Sequence, residues 1–226
     1  TAVSLHHRFR PAFAAVVAGH QRITPEGFLP NLGRIAQEPH CPKAFAVPER
    51  HITHPDHRGK GFASRLFLET HDHLKALGYA GTVLKPATGL FSFYEKLGYE
   101  TSGYIHVFTA DAADSPLPLR QISADEYGRL RKAFLPENGI LQEGLTLAFL
   151  STFASFYAHT DALICANETE QIVFEYLGNS HSAPEILRAL NIKTAKMPTP
   201  GQEIPFAMWC PLNCTKKPGY LGISLE

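Results

Sequence analysis

The residues best suited to chemistry lie in one short run, His54–Leu66, which reads HPDHRGKGFASRL. Within it Arg58, Gly59, Lys60, Gly61, Phe62 and Ala63 fit the pattern R-x-x-G-x-[G/A]. The chemistry such a run supports is anion capture. Glycines let the backbone approach a phosphate with no β-carbon in the way. The first amides of a following helix have no internal partners and point at a ligand, and the helix dipole favours negative charge there by about 0.3–1 kcal/mol. Arg58 and Lys60 supply formal positive charge. The run is neither a Walker A loop nor G-x-G-x-x-G, because no further glycine arrives in register after Phe62. The same residues also read as a glycine-bearing turn with two solvated basic side chains.

The elements that must position this run are legible around it. Arg50–Thr53 reads as the end of a strand, and Pro55 forces a turn. Gly61–Leu77 reads as a helix, with Ala63, Leu66, Phe67, Leu74 and Leu77 on or near one face and Gly78 as a left-handed cap. Tyr79–Leu84 is apolar, as a strand covered on both faces would be, and Pro86 ends it. Leu90–Leu97 is a second helix closed by Gly98, and Tyr99–Phe108 returns as a strand. Strand, helix, strand, helix, strand is an α/β order with at least one parallel crossover.

Two motifs in that order carry a family resemblance. Arg58–Ser64 resembles motif A of the GNAT superfamily of N-acetyltransferases. Leu90–Tyr99, LFSFYEKLGY, resembles their motif B, with Tyr94, Gly98 and Tyr99 in Y-x-x-x-G-[F/Y]. The resemblance covers about residues 45–108. It implies a GNAT-like acyl-CoA N-acyltransferase fold, mixed α/β, with acetyl-CoA as cosubstrate and a small-molecule or peptide amine as acceptor. It further implies that the strand at Ile52 and Thr53 pairs with pantetheine, and that Arg58, Gly59, Lys60, Gly61, Phe62, Ala63 and Ser64 hold the pyrophosphate. Tyr94 stands where the family places a general acid for the leaving thiolate. A tyrosine near pKa ~10 protonating a thiolate near ~8.5 is uphill by roughly 2 kcal/mol, so a donated hydrogen bond without transfer is an alternative. Tyr94 also reads as a core aromatic of its helix. For the base, Glu49 and His51 share a strand face, while a water chain and the terminal carboxylate at Glu226 stay open. One departure is Ala87, where the family often has asparagine. The family's first strand and first two helices are not recognisable, and the N-terminal part is shorter than the family's.

Asp111–Pro118, DAADSPLP, reads as a linker between domains at 1–110 and 119–226. Beyond it the α/β order resumes. Leu119–Ile122 reads as a strand, Ser123 with Glu126 as a capping box opening a helix to about Phe134, and Leu145–Tyr157 as a second helix. Strands are expected at Ala162–Cys165, Glu170–Leu177, Phe206–Pro211 and Tyr220–Leu225, and a helix at Ser182–Leu190 with Pro184 in its first turn. This half resembles the degenerate second domain of tandem bacterial GNAT members. It lacks an R-x-x-G-x-[G/A] loop, so no second cofactor site is expected.

Composition bounds the rest. The 226 residues are 44% hydrophobic and 19% charged, which is globular. Lys plus Arg equals Asp plus Glu at 21 each, which argues against a nucleic-acid binder. No apolar stretch reaches the roughly 20 residues of a membrane span, and the opening residues carry no signal-peptide pattern. Cys41, Cys165, Cys210 and Cys214 read as reduced thiols of a cytoplasmic protein. No metal site is expected: His71 and His73 diverge on their helix and read, like His51, His54 and His57, as solvated surface histidines. Of the first 45 residues, Phe13–Ala18 and Arg22–Thr24 read as short strands, and prolines between Pro25 and Pro42 argue against long elements. The expected function is N-acetyl transfer from acetyl-CoA to a primary amine in a ternary complex. A non-catalytic acyl-CoA-binding or regulatory module and acyl transfer to a hydroxyl are the rivals. The identity of the amine and the choice between monomer and homodimer stay open.

Overall fold

The computed structural model describes residues 15–16, 31–35, 45–47, 52–53, 55–142 and 144–223. The chain forms two compact units, and neither is a single stretch of sequence. The first takes residues 1–32, 40–100 and 208–216; the second takes 33–39, 101–207 and 217–226.

In the first unit β1 (Ala15–Val16) pairs in parallel with β4 (Ile52–Thr53). A 3-10 turn at Pro55–His57 leads into α1 (Phe62–Ala76), and Gly78, at φ 81°, turns the chain out of it. β5 (Gly81–Leu84) is buried along its whole length. It pairs in parallel with β3 (Phe45–Val47) and antiparallel with Met208–Pro211, the second half of β13 (Ile204–Pro211). The short helix α2 (Phe91–Glu95) follows. Phe67, Leu84, Leu97, Tyr99, Met208 and Cys210 form the core, with Phe91, Phe93 and Tyr94 packed on it. The late segment also closes α1: Asn213 Nδ2 donates to the carbonyls of Lys75 (2.9 Å) and Tyr79 (2.8 Å).

In the second unit β7 (Arg120–Ile122), β9 (Ser155–Ala158), β10 (Ala162–Asn167) and β11 (Ile172–Gly178) form an antiparallel sheet in the order β11-β10-β9-β7. β8 (Ile140–Leu141) pairs antiparallel with residues 34–35 of β2 (Asn31–Ile35). α3 (Ala124–Phe134) and α4 (Leu145–Leu150) belong to a core with Phe156, Leu163 and Leu177, and α5 (Ala183–Ala189) to another with Ile164 and Tyr176. β12 (Thr194–Pro200) runs antiparallel to β6 (Glu100–Asp111). A strand bearing Pro198 and Pro200 has no signal in sequence. It is tolerated here because β12 is an edge strand among the described residues.

Several expectations change. The apolar run 145–157 is not one helix. The Ser151 and Thr152 hydroxyls donate back to the carbonyls of Ala148 and Phe149, capturing the end of α4, and the chain leaves as β9 with Phe156 buried. Residues 220–223 form no strand, because Gly222 turns left-handed at φ 79°. Ser123 does cap α3, accepting from the Glu126 amide at 3.2 Å, but the Glu126 carboxylate forks with Arg120 instead of reaching back. The run 111–118 is fastened within the second unit: the Ala112, Ala113 and Leu117 amides donate to the carbonyls of Lys193, Pro184 and Glu185. The units divide at Glu100 and Thr101.

Candidate active site

Between β4 and α1 the chain makes a tight, cationic loop. The Arg58 amide donates to the Pro55 carbonyl (3.1 Å), and Lys60 Nζ donates to the Asp56 carbonyl (3.0 Å). Gly59 and Gly61 both take φ 74°, a conformation that L side chains adopt only under strain. Gly61 stands at the N-cap of α1, where no side chain caps the helix and no acidic residue occupies the first turn. The first helical bond runs from the Arg65 amide to the Gly61 carbonyl (3.0 Å). The amides of Phe62, Ala63 and Ser64 therefore lie ahead of it, at the positive end of a 15-residue helix. A Cβ on either glycine would meet no atom of the described residues within 4 Å, so among these residues the space over the loop is open. Convergent amides, two cations and open space suit a pyrophosphate.

Of the expected site residues, Arg58, Gly59, Lys60, Gly61, Phe62, Ala63 and Ser64 are gathered in this loop and first turn. Ile52 and Thr53 lie in β4, paired with Ala15 and Val16. Glu49 and His51 fall outside the described residues. Ala87 is exposed, and its carbonyl accepts the Leu90 amide ahead of α2.

Tyr94 lies in α2, half-buried, its ring edge-on to Phe67 (5.5 Å), Phe93 (5.1 Å) and Tyr99 (5.6 Å). Its hydroxyl bonds to no described residue. Burial raises its pKa above the ordinary 10, so the phenol is a weaker acid here than in water.

Beside it lies a buried polar cluster. Thr82 Oγ1 donates to Tyr99 Oη (2.7 Å), and Tyr99 Oη lies 2.9 Å from His71 Nε2. With Thr82 donating, the Tyr99 proton goes to Nε2, which assigns the His71 proton to Nδ1, facing Cys210 Sγ at 3.9 Å. His71 is thus not a surface residue: it is 7% exposed. The signal was available in sequence, because Phe67, His71 and Leu74 share one helical face. His73, by contrast, is partly exposed.

Burial lowers the pKa of His71 from 6.5, opposed by the Asp72 carboxylate. Above pH 6.5 the ring is neutral in both folded and unfolded chains. Below it the unfolded ring takes a proton that the folded one refuses. Stability therefore falls by up to about 1.4 kcal/mol per pH unit until the folded pKa is passed. Urea unfolding between pH 7 and 5 should show this slope in the wild type and lose it in His71→Gln.

Residues 17–101 match the family profile of the acetyltransferase (GNAT) domain. That stretch is similar to the acetyltransferase (GNAT) domain. Solved GNAT structures share the chain's mixed α/β fold. A GCN5-related N-acetyltransferase from Kribbella flavida aligns with a TM-score of 0.55 at 18% identity, over 75% of this chain and 53% of that one. One from Anabaena variabilis aligns at 0.56 and 16%, over 80% and 57%. Eis1 from Mycobacterium abscessus aligns at 0.57 and 11%, over 80% and 60%. The chain thus spans between 53% and 60% of the length of these relatives, and at such identities the likeness is one of fold. No curated protein matches the sequence. Among the described residues no helix is long and apolar enough to cross a membrane.

Proposed function

We propose that the GNAT domain transfers the acetyl group of acetyl-CoA to a primary amine by direct attack in a ternary complex. The observation that carries this reading is the pair of left-handed glycines, Gly59 and Gly61, at the open N-terminus of α1. In this reading the amides of Phe62, Ala63 and Ser64, with Arg58 and Lys60, hold the pyrophosphate, and the strand at Ile52 and Thr53 aligns pantetheine. The amine attacks the thioester carbonyl, the C–S bond breaks, and CoA leaves as a thiolate. Glu49 or His51 takes the ammonium proton. Tyr94 donates a hydrogen bond to the departing sulfur. Full proton transfer from Tyr94 would be uphill by more than the ~2 kcal/mol of the unperturbed pair, because burial raises its pKa.

The second unit binds no acetyl-CoA in this account. Before α5 the turn Ser180–Ser182 is capped by Asn179, whose Oδ1 accepts the His181 amide (3.0 Å). Pro184 removes an amide donor from the first turn of α5, and Glu185 places a carboxylate there. These features disfavour an anion at that terminus.

The test is thiol release from acetyl-CoA across a panel of small amines, amino acids and peptides. Turnover with at least one amine is expected. Binding of acetyl-CoA without turnover on any of them would identify a non-catalytic acyl-CoA-binding module instead. Tyr94→Phe should lower kcat about 10–100-fold and leave acetyl-CoA affinity unchanged, as loss of a donor that acts on developing charge requires. An unchanged kcat would remove Tyr94 from the reaction.

A further inference from the structure

We propose that His71 is a positioning residue for Tyr94, acting through Tyr99. The proposal rests on the reading of Tyr94 given above. α2 has five residues, too few to hold a side chain direction on its own, so the aromatic packing around it sets where the Tyr94 hydroxyl points. Tyr99 supplies that packing twice. Its ring meets Tyr94 edge-on at 5.6 Å, and its amide donates to the Tyr94 carbonyl at 3.1 Å. The Tyr99 ring is held in turn at its far end, where its oxygen accepts from Thr82 and donates to His71. His71 also packs on Phe67 (6.2 Å), another ring edge-on to Tyr94 beside Phe93 and Tyr99.

The arrangement needs a neutral imidazole. Only an unprotonated Nε2 can accept from Tyr99 while Tyr99 accepts from Thr82. The titratable groups facing or near the ring are consistent with this. Tyr99 and Cys210 both have pKa values raised by burial and stay protonated, and Asp72 on α1 is the neighbouring carboxylate. A leucine at position 71 would take away one of the two bonds at the Tyr99 oxygen, leaving Thr82 as its remaining partner and loosening the ring. A glutamine would restore the acceptor.

The test uses the full chain labelled with 3-fluorotyrosine. Its 8 tyrosines give few resonances, and Tyr94→Phe assigns the one that matters. The expected result is that His71→Leu shifts or splits the Tyr94 resonance and that His71→Gln restores it. In thiol release, His71→Leu should lower kcat about tenfold at unchanged KM for acetyl-CoA, and cost nothing further in a Tyr94→Phe background. If His71→Leu does not fold, Thr82→Val removes the other bond to Tyr99 and gives the same readout. A Tyr94 resonance untouched by these variants, or an equal loss of kcat with and without Tyr94, overturns the proposal. A Tyr94→Phe enzyme that turns over like the wild type overturns the reading of Tyr94 itself. That outcome is distinct, because it is seen with His71 intact.

Discussion

Arg131→Met will destabilise the second unit by about 3–5 kcal/mol, read as a fall of more than about 1 M in the urea midpoint. Arg131 and Glu175 are both fully buried and form a two-pronged ion pair, Nε to Oε2 at 2.8 Å and Nη2 to Oε1 at 2.9 Å. The remaining donors and acceptors are used as well. Nη1 donates to the Ile140 carbonyl (2.6 Å), Nη2 also donates to the Leu221 carbonyl (3.2 Å), and the Tyr127 hydroxyl donates to Glu175 Oε2 (2.5 Å). Burial works against the guanidinium charge, but the Glu175 carboxylate more than offsets it, and the pKa of Arg131 ends above its ordinary value. Removing the arginine leaves a buried carboxylate with only neutral partners and takes the guanidinium bond from the Ile140 carbonyl, while the Leu221 carbonyl keeps Gln142. The double variant Arg131→Met/Glu175→Leu should recover most of the loss, since a matched apolar pair carries no stranded charge. The same fork explains why residues 220–223 are fixed without a strand. A Cβ at Gly222 would stand 2.1 Å from Arg131 Nη2, so only glycine lets the segment close over the pair, and Gln142 Nε2 donates to the carbonyls on both sides of it.

Gly61→Val will weaken acetyl-CoA binding at least about a hundredfold while the fold survives. The valine side chain would occupy the open space over the loop, which in this account belongs to the pyrophosphate. The residue would also be held at φ 74°, a strain of roughly 1–2 kcal/mol. A hundredfold is about 2.7 kcal/mol, the scale of a few charge-assisted hydrogen bonds. No atom of the described residues lies within 4 Å of that β-carbon, so the described core of the first unit is untouched, and unfolding by urea should change by no more than the strain itself.

The loop and α1 were legible because their signals are local: two glycines, two cations and a helical apolar face in one 20-residue window. His71 was misplaced because a histidine was read by its polarity instead of by its register with Phe67 and Leu74. The break in 145–157 was hidden because its apolar spacing suits a helix, and only Ser151 and Thr152 turn back on the carbonyls. Arg131 and Glu175 could not be paired from sequence. They lie 44 residues apart on a helix and a strand, and nothing local marks either as buried. The same holds for residues 208–216. They complete the core and cap α1 in the first unit, more than 100 residues after β5, and no periodicity reports such a return.

The central claim is that the loop at Arg58–Ser64 holds acetyl-CoA. Isothermal titration of the whole chain with acetyl-CoA tests it most directly, with Arg58→Ala titrated beside the wild type. The account predicts micromolar binding at one site per chain, weakened at least tenfold in Arg58→Ala, with the second unit contributing no site. Well-folded protein that takes up no acetyl-CoA, or binds it equally after Arg58→Ala, would contradict the account.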